Sequence, residues 1–442
     1  MRFKNSSRIV THFITNLAAL VIYILTMSAL ATSQQESTIY NFKGGNDGAE
    51  PVSSVVAHND GNLYGTTAEG DNAPSCGIDG NNNPFGCGTV YQLTPPAQSS
   101  SPWTETILHA FEGGKADGAD PASPITFDEA GNLYGTTVIG GAANAGIVFE
   151  LSPPVQHNGA WTESMLHSFA PNLGFPSGLV FDRQGNLYGE QNGFPNTYGT
   201  IFELSPPAIQ GKEWIYRVLY TFSPSLLGGV LPEGGLVIDE DGNLYGVTQF
   251  GGDSGCADGV GCGVVFELMK PTHPGGAWTE RVLYSFTGIN GDGAQPSSGV
   301  IFYGGNHLYG TAADGGNEIG DGTVFELSTT TGGSWTEATI YQFDESIGRP
   351  FGRVVFDKQG NLYTTTFSSP NGGGEVLELS PPATQGNPWT FTPLYDFSCN
   401  NLSCDGGGTL FSGLIFDKGN VLYGTATYGG TGNSGVAFKI IP

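Results

Sequence analysis

The chain has 442 residues, including 70 glycines, and only 13% of its residues are charged. Its aromatic content of 12% excludes an intrinsically disordered chain, and its net charge of −26 argues against nucleic acids and anionic membrane surfaces as partners. High glycine and low charge together favour short buried strands joined by tight turns.

The N-terminus has the pattern of an export signal. Arg2, Lys4 and Arg8 precede an apolar stretch that ends in the small-x-small sequence Ala29-Leu30-Ala31. The alternative is an uncleaved membrane anchor, since the stretch is almost long enough to span a bilayer. Polar residues interrupt its first half, so we expect a cleaved signal peptide over residues 1–31 and a secreted, periplasmic or cell-surface protein without a later membrane span.

After this segment one sequence unit recurs seven times. Its clearest mark is Gly-Asn-Leu-Tyr-Gly or a close variant, with the tyrosines at Tyr64, Tyr134, Tyr188, Tyr245, Tyr309, Tyr363 and Tyr423. Such a repeat builds one large structure from small units, so we expect a single domain over residues 32–442.

Each unit contains four predicted strands, A to D. Strand A is an apolar run such as Pro176 to Asp182, and strand B is Asn-Leu-Tyr-Gly-Thr-Thr. Strand C is similar to Gly322–Leu327, and strand D to Trp278–Phe286. Strand A reads as a strand buried on both faces, and the short A–B turn is a hairpin signal. Seven antiparallel units predict an all-β, seven-bladed β-propeller; the alternative is an open β-solenoid.

The two chain ends predict how the ring closes. The segment from Glu36 to Phe42 aligns with the D strand Glu105–Phe111, whereas the last unit stops after the C strand Gly435–Ile440. We expect the first strand to complete the last blade, which would leave no open sheet edge.

The cysteines form three close pairs: Cys76 with Cys87, Cys256 with Cys262, and Cys399 with Cys404. In an exported chain these predict three local disulfides, although pairing by proximity is only one of the possible connectivities. A metal site is the alternative, but paired CxxC spacing and neighbouring histidines are missing.

The pattern GNLYGTT…GG…G-x-V-F-x-L…W-T-E…L-Y-x-F resembles the bacterial GloVer tandem-repeat family from about Glu36 to Pro442. The resemblance implies an exported protein, often one carried at the surface by a C-terminal anchor. Because no segment follows the last strand in this sequence, we expect release rather than covalent anchoring. The family brings no catalytic residues or substrate to carry over.

Residues that break the repeat are the candidate site. The D–A and B–C loops, which hold all six cysteines, should share one face, here named the top face, where propellers usually bind ligands. The ligand-binding candidates are Glu50, Asp120, Arg349 and Arg353, and the weak catalytic candidates are Glu190 and Glu233. The competing interpretation is that repeat degeneracy alone scatters charges around a rim.

Residues that recur in register are poor catalytic candidates. We interpret strand-D acids such as Glu105 and Glu280 as charges on a blade face or edge, which also discourage strand-on-strand aggregation. His167 reads as a packing variant of tyrosine. We expect no cofactor; Ca²⁺ is a candidate at Asp-Gly-rich loops such as 46–48, although turn chemistry explains these loops equally well.

The sequence favours a monomeric, non-catalytic binding or adhesion module with a glycan or protein ligand on the top face. The alternatives are a glycan lyase or hydrolase, which needs two carboxyl groups or a base beside a cation, and a structural envelope component.

Overall fold

The computed structural model describes residues 36–442 except 71–72, 74–75, 78–85, 99–100, 157–158, 210, 224–227, 253–255, 257–258, 317–319, 331–332, 368–371, 385 and 400–406. The predicted signal peptide lies outside this part of the chain. Within it, no helix is long and apolar enough to span a membrane.

The described chain is a seven-bladed β-propeller of four-stranded antiparallel blades, as the repeat predicts. Blade 1 contains β2 (Val56–Ala57), β3 (Leu63–Thr67), β4 (Thr89–Thr94) and β5 (Thr104–Ala110). Blade 2 contains β7 (Thr126–Phe127), β8 (Leu133–Thr136), β10 (Ile147–Ser152) and β11 (Thr162–Ser168), with β6 (Gly118–Ala119) and β9 (Ile139–Gly140) paired beside them. Blade 3 contains β12 (Pro176–Phe181), β13 (Leu187–Gln191), β14 (Thr200–Ser205) and β15 (Ile215–Thr221).

The remaining blades repeat this order. Blade 4 contains β16 (Gly229–Ile238), β17 (Leu244–Gly251), β18 (Val264–Met269) and β19 (Thr279–Ser285). Blade 5 contains β20 (Gly293–Tyr303), β21 (His307–Gly315), β22 (Thr323–Thr329) and β23 (Trp335–Gln342). Blade 6 contains β24 (Val355–Phe356), β25 (Leu362–Thr365), β26 (Gly372–Ser380) and β27 (Thr390–Ser398). Blade 7 contains β28 (Ile415–Phe416), β29 (Leu422–Ala426), β30 (Val436–Ile440) and β1 (Glu36–Asn41).

The ring closes through its first strand, which confirms the prediction. β1 pairs antiparallel with β30, with Glu36 opposite Ile440 and Asn41 opposite Val436. The innermost strands differ from the expectation of one continuous run. They are long in blades 3 to 5 but only two residues long in blades 1, 2, 6 and 7, although the start of strand A lines the central space in every blade.

The hydrophobic core lies between blades rather than within them. Seven clusters of buried side chains are present, and each draws on two adjacent blades. One example joins Tyr188 and Ile201 of blade 3 to Leu244 and Phe266 of blade 4. A single blade therefore has no core of its own, and burial of apolar surface holds the ring together.

The Gly-Asn-Leu-Tyr motif forms the A–B hairpin through an upstream aspartate. In blade 3, Asp182 accepts hydrogen bonds from the backbone and side-chain nitrogens of Asn186 (2.9 and 2.8 Å) and from the hydroxyl of Tyr188 (3.1 Å). Blades 2, 4 and 6 repeat these contacts. The repeated tyrosine is thus a structural residue.

The glycine of the same motif makes room for an aromatic ring on strand C. A Cβ at Gly189 would lie 2.4 Å from Cζ of Phe202, and the same conflict recurs in five other blades. Blade 6 is the exception: Thr364 replaces the glycine and pairs in register with Leu377, which replaces the aromatic residue. The two substitutions compensate for each other in volume.

A glycine–proline contact joins consecutive blades. A Cβ on the glycine that precedes strand C would lie 2.2–3.1 Å from the Cδ of the next blade's first proline. The pairs are Gly435–Pro51, Gly88–Pro121, Gly146–Pro176, Gly199–Pro232, Gly263–Pro296 and Gly322–Pro350. Between blades 6 and 7, Leu410 takes the place of the proline beside Gly374.

The acids of strand D act between blades. Glu280 accepts a hydrogen bond from the hydroxyl of Tyr220 in the preceding blade (2.7 Å), and Glu105 accepts one from Tyr40 (3.0 Å). The interpretation of these acids as simple edge charges was therefore incomplete. His167 stacks on Tyr216 of the next blade at 4.0 Å, and burial lowers its pKa to about 4, as suits a packing residue.

Candidate functional site

The inner strands of all seven blades surround one central cavity of about 1090 Å³. Its walls combine aliphatic residues with Phe175, Phe351 and Phe411, and the rings of Phe175 and Phe411 are each 39% exposed. Phe367 packs on Phe411 with ring centroids 4.8 Å apart. In the sequence these phenylalanines are indistinguishable from ordinary apolar residues in and around strand A, so they give no signal of a site.

Four of the six candidate residues line this cavity: Glu50, Asp120, Glu233 and Arg353. The structure thus brings together side chains from blades 1, 2, 4 and 6. Arg349 does not line the cavity; it forms an ion pair with Asp314 at 2.7 Å, and its side chain is half exposed. The last candidate, Glu190, is fully buried behind the inner strand of blade 3.

Glu190 occupies a position at which five of the other blades carry threonine and blade 4 carries Val247. In blades 1, 5 and 7 the strand-B threonine bonds a strand-A serine, as in Ser53–Thr66 (2.8 Å) and Ser298–Thr311 (2.6 Å). In blade 3, Ser177 donates to Oε1 of Glu190 (3.0 Å) and so preserves the contact. The inner segment of blade 3 is one residue shorter than in the other blades, and the longer Glu190 side chain fills the space.

Glu190 also changes the contact with the next blade. Thr365 and Thr425 donate to carbonyl oxygens of the following inner strand, at 2.9 and 3.0 Å. Glu190 instead accepts from the backbone N–H of Gly235 (2.9 Å), and Oε2 has no hydrogen-bond partner. Burial raises the pKa of Glu190 to about 7, against the lowering effect of these two hydrogen bonds.

Arg353 is unusual for its position in the repeat, which lies ten residues before the repeated tyrosine and is called this level of the ring below. The other six blades carry Ser54, Pro124, Gly178, Gly235, Gly299 and Gly413 there. Its Nη2 donates to the carbonyl oxygen of Val300 in blade 5 (2.8 Å), whereas Nε has no acceptor. Burial lowers the pKa of Arg353, and the Glu190 carboxylate opposes that effect. Glu233 lines the same cavity, and burial raises its pKa to about 7.

A second group of acids is formed by Glu50 and Asp120, which line the cavity, and Glu69, which interacts with both. Burial raises the pKa of Asp120 to about 6, and Glu50 adds to the effect. Burial also raises the pKa of Glu69 to about 7, with further contributions from Glu50 and Asp120. Glu69 was missed in the sequence because it stands in a B–C loop of ordinary composition. Among the described residues, no cluster of three His, Cys, Asp or Glu has a geometry suited to a metal ion.

The backbone at Glu50 and Asp120 is left-handed, with φ of 57° and 58°. Leu231 and Gln295 occupy the same repeat position and have φ of 59° and 52°. Each of these four residues donates its N–H to a carbonyl oxygen of the preceding blade. The strained corner is therefore a feature of the repeat and does not by itself mark a site.

Two predicted disulfides are present, Cys76–Cys87 and Cys256–Cys262. The third expected pair includes Cys404, which lies outside the described residues. The Asp-Gly-rich loop at 46–48 serves as a turn: Asp47 accepts hydrogen bonds from the Tyr40 hydroxyl (2.6 Å) and the Lys43 backbone (2.9 Å). Ca²⁺ binding there stays a prediction.

Comparison with known families identifies the repeat. A model described as the Gloeobacter/Verrucomicrobia repeat matches residues 21–257 and 257–442. The chain belongs to this family. A search of curated proteins found no match.

Several solved structures match this Gloeobacter/Verrucomicrobia repeat protein at low sequence identity. YCF48 from Cyanidioschyzon merolae is 12% identical with a TM-score of 0.49, covering 92% of this chain and 99% of that chain. A puromycin-hydrolyzing peptidase of Mycobacterium tuberculosis is 12% identical with a TM-score of 0.47, covering 88% and 53%. A gluconolactonase of Xanthomonas campestris is 14% identical with a TM-score of 0.40, covering 75% and 88%. These similarities carry no argument about function.

Proposed function

We propose that this protein is an exported, non-catalytic binding module whose central cavity takes a polyhydroxylated ligand such as a glycan. The observation that carries the proposal is the convergence of Glu50, Asp120, Glu233 and Arg353 on one cavity that also presents phenylalanine rings. Carboxyl and guanidinium groups bind hydroxyls through hydrogen bonds, and an aromatic face packs against the apolar face of a sugar ring.

The disulfides and the family support a location outside the cytoplasm. Cys76–Cys87 and Cys256–Cys262 both lie in B–C loops on the top face. Disulfides persist in oxidising compartments, and short covalent loops limit the movement of the segments beside the cavity. Secretion to the medium, the periplasm or the cell surface would all satisfy this chemistry.

The structure gives less support to the alternative of a glycan-active enzyme. Glycoside hydrolysis needs two carboxyl groups that flank the scissile bond. Glu233 lines the cavity and has a pKa near 7, which suits an acid, but Glu190 has no exposed surface and is held by Ser177 and Gly235. Glu190 is therefore better explained as a packing residue of blade 3 than as a catalytic partner.

A glycan array probed with the protein lacking residues 1–31, with and without Ca²⁺, tests the proposal. Phe411→Ala removes an aromatic wall of the cavity. Phe194→Ala is the matched control, because Phe194 is 58% exposed but does not line the cavity. We expect a specific signal that falls about tenfold or more in Phe411→Ala and stays unchanged in Phe194→Ala.

Three outcomes contradict the proposal. A blank array under both conditions would leave protein adhesion or an envelope role. An equal loss in both phenylalanine variants would place the ligand elsewhere. Cleavage of the bound glycan, abolished by Glu233→Gln, would replace the binding module with the enzyme.

A further inference from the structure

We infer that the ligand of the central cavity carries a carboxylate, and that Arg353 binds this group. The inference deepens the proposed function, since it uses the same cavity and names the substrate class as an acidic saccharide. A carboxylate-bearing small molecule that is not a saccharide would share the recognition chemistry, and the experiment below separates it from an acidic saccharide.

The first argument is the position of Arg353. In blades 3 and 5 the inner strands leave little room at this level: a Cβ at Gly178 would lie 2.6 Å from Cα of Gly235, and one at Gly299 would lie 2.4 Å from the oxygen of Gly234. Arg353 is the one long side chain at this level. It crosses to Val300 in blade 5, and its charge interacts with Glu190 of blade 3. The guanidinium thus lies toward the centre of the ring.

The second argument is that its charge is incompletely paired. A guanidinium has five N–H donors. Within the described part of the chain, the acceptor for Arg353 is the neutral carbonyl of Val300, and no carboxylate lies within 4.0 Å of it. Its Nε is buried without an acceptor. A buried cation without a close counter-ion is costly, so an anion that enters the cavity gains a strong interaction.

The third argument is the nature of the anion. The guanidinium fork matches the two oxygens of a carboxylate. Larger or more highly charged oxyanions meet Glu50, Asp120 and Glu233 in the same cavity, and these carboxyl groups repel negative charge. A single carboxylate attached to a neutral hydroxylated body pairs with the guanidinium and adds little further negative charge near the acids. Its body can hydrogen bond with the acids while its carboxylate faces Arg353.

The experiment is a titration calorimetry series with three probes. Glucose supplies the hydroxylated body alone, acetate supplies the carboxylate alone, and glucuronate supplies both. The variants are Arg353→Gln and Arg353→Lys, with Arg349→Gln as the matched control because Arg349 is paired outside the cavity. We expect glucuronate to bind about tenfold or more tightly than glucose. This preference should disappear in Arg353→Gln, return in part in Arg353→Lys, and persist in Arg349→Gln.

The outcomes separate the inference from the proposed function. Equal binding of glucose and glucuronate, weakened by Phe411→Ala, overturns the carboxylate inference and leaves the glycan proposal intact. Binding of acetate and glucuronate with equal affinity supports the role of Arg353 but overturns the acidic saccharide as substrate class. No binding of either acid overturns the inference. If Arg353→Gln fails to fold, the wild-type comparison of the three probes still tests the carboxylate preference, and Arg353→Lys against Arg349→Gln tests the role of Arg353.

Discussion

Replacement of Gly199 by alanine adds one methyl group at the contact between blades 3 and 4, and we expect it to destabilise the protein strongly. Gly199 has φ of +97°, and a Cβ there would lie 2.2 Å from Cδ of Pro232 and 2.9 Å from the oxygen of Gln191. The left-handed backbone costs alanine about 1–2 kcal/mol, and a forced contact in a packed interior adds about 1–3 kcal/mol. We expect Gly199→Ala to lower the free energy of unfolding by about 2–5 kcal/mol.

Gly185→Ala is the matched control in the same blade. Its φ is +83°, but nothing lies within 4 Å of the added Cβ, so only the backbone cost of about 1–2 kcal/mol applies. Urea denaturation followed by tryptophan fluorescence measures the two midpoints under identical conditions. Equal losses in the two variants would refute the reasoning, because the proline contact would then contribute nothing. Adding Pro232→Ala to Gly199→Ala should recover part of the loss, since the contact is removed.

Two further predictions concern blade 6 and the closure of the ring. Leu377→Phe should lower the thermal unfolding midpoint because Thr364 fills the space that glycine leaves elsewhere, and Thr364→Gly in the same chain should restore it; a neutral single variant would contradict the volume argument. Burial, with the neighbouring Asp47, raises the pKa of Glu105 from 4.5 to about 9. The unfolded chain loses this proton first, so stability should fall as pH rises from about 5 to 9. Glu105→Gln should flatten that slope in denaturation measured across this range, and an unchanged slope would refute the assignment.

The fold was predictable because the same sequence pattern recurs in each blade. Seven tyrosines in register, four strand patterns per unit and an unpaired first strand were enough to predict the propeller and its closure. The close cysteine pairs predicted two of the observed disulfides. The individual strand bounds were less predictable, since similar strand-A sequences form inner strands of two residues in four blades and of six to eleven residues in the other three.

The candidate site was predictable only in part. Departures from the repeat selected Arg353 and Glu233, and the structure places both side chains along the cavity; their roles in binding or catalysis stay predictions. The same reasoning failed to separate Arg349 from Arg353, because the partner of Arg349, Asp314, belongs to the preceding blade. Glu190 is conspicuous in the sequence as a charged residue. Its packing role depends on the inner segment of blade 3, which is one residue shorter than in the other blades. Contacts of this kind depend on three-dimensional register, which the repeat alone does not specify.

The pairing of β1 with β30 has a consequence for the order of folding. Every core cluster lies between neighbours in the ring, and six of these interfaces join blades that are also consecutive in the chain. The interface of blades 7 and 1 joins the two ends of the sequence. An emerging chain can therefore assemble blade upon blade, while its first strand waits for the last one to appear. Until then the nascent protein is an open arc with two exposed edges, and unpaired edges of this kind are prone to aggregation.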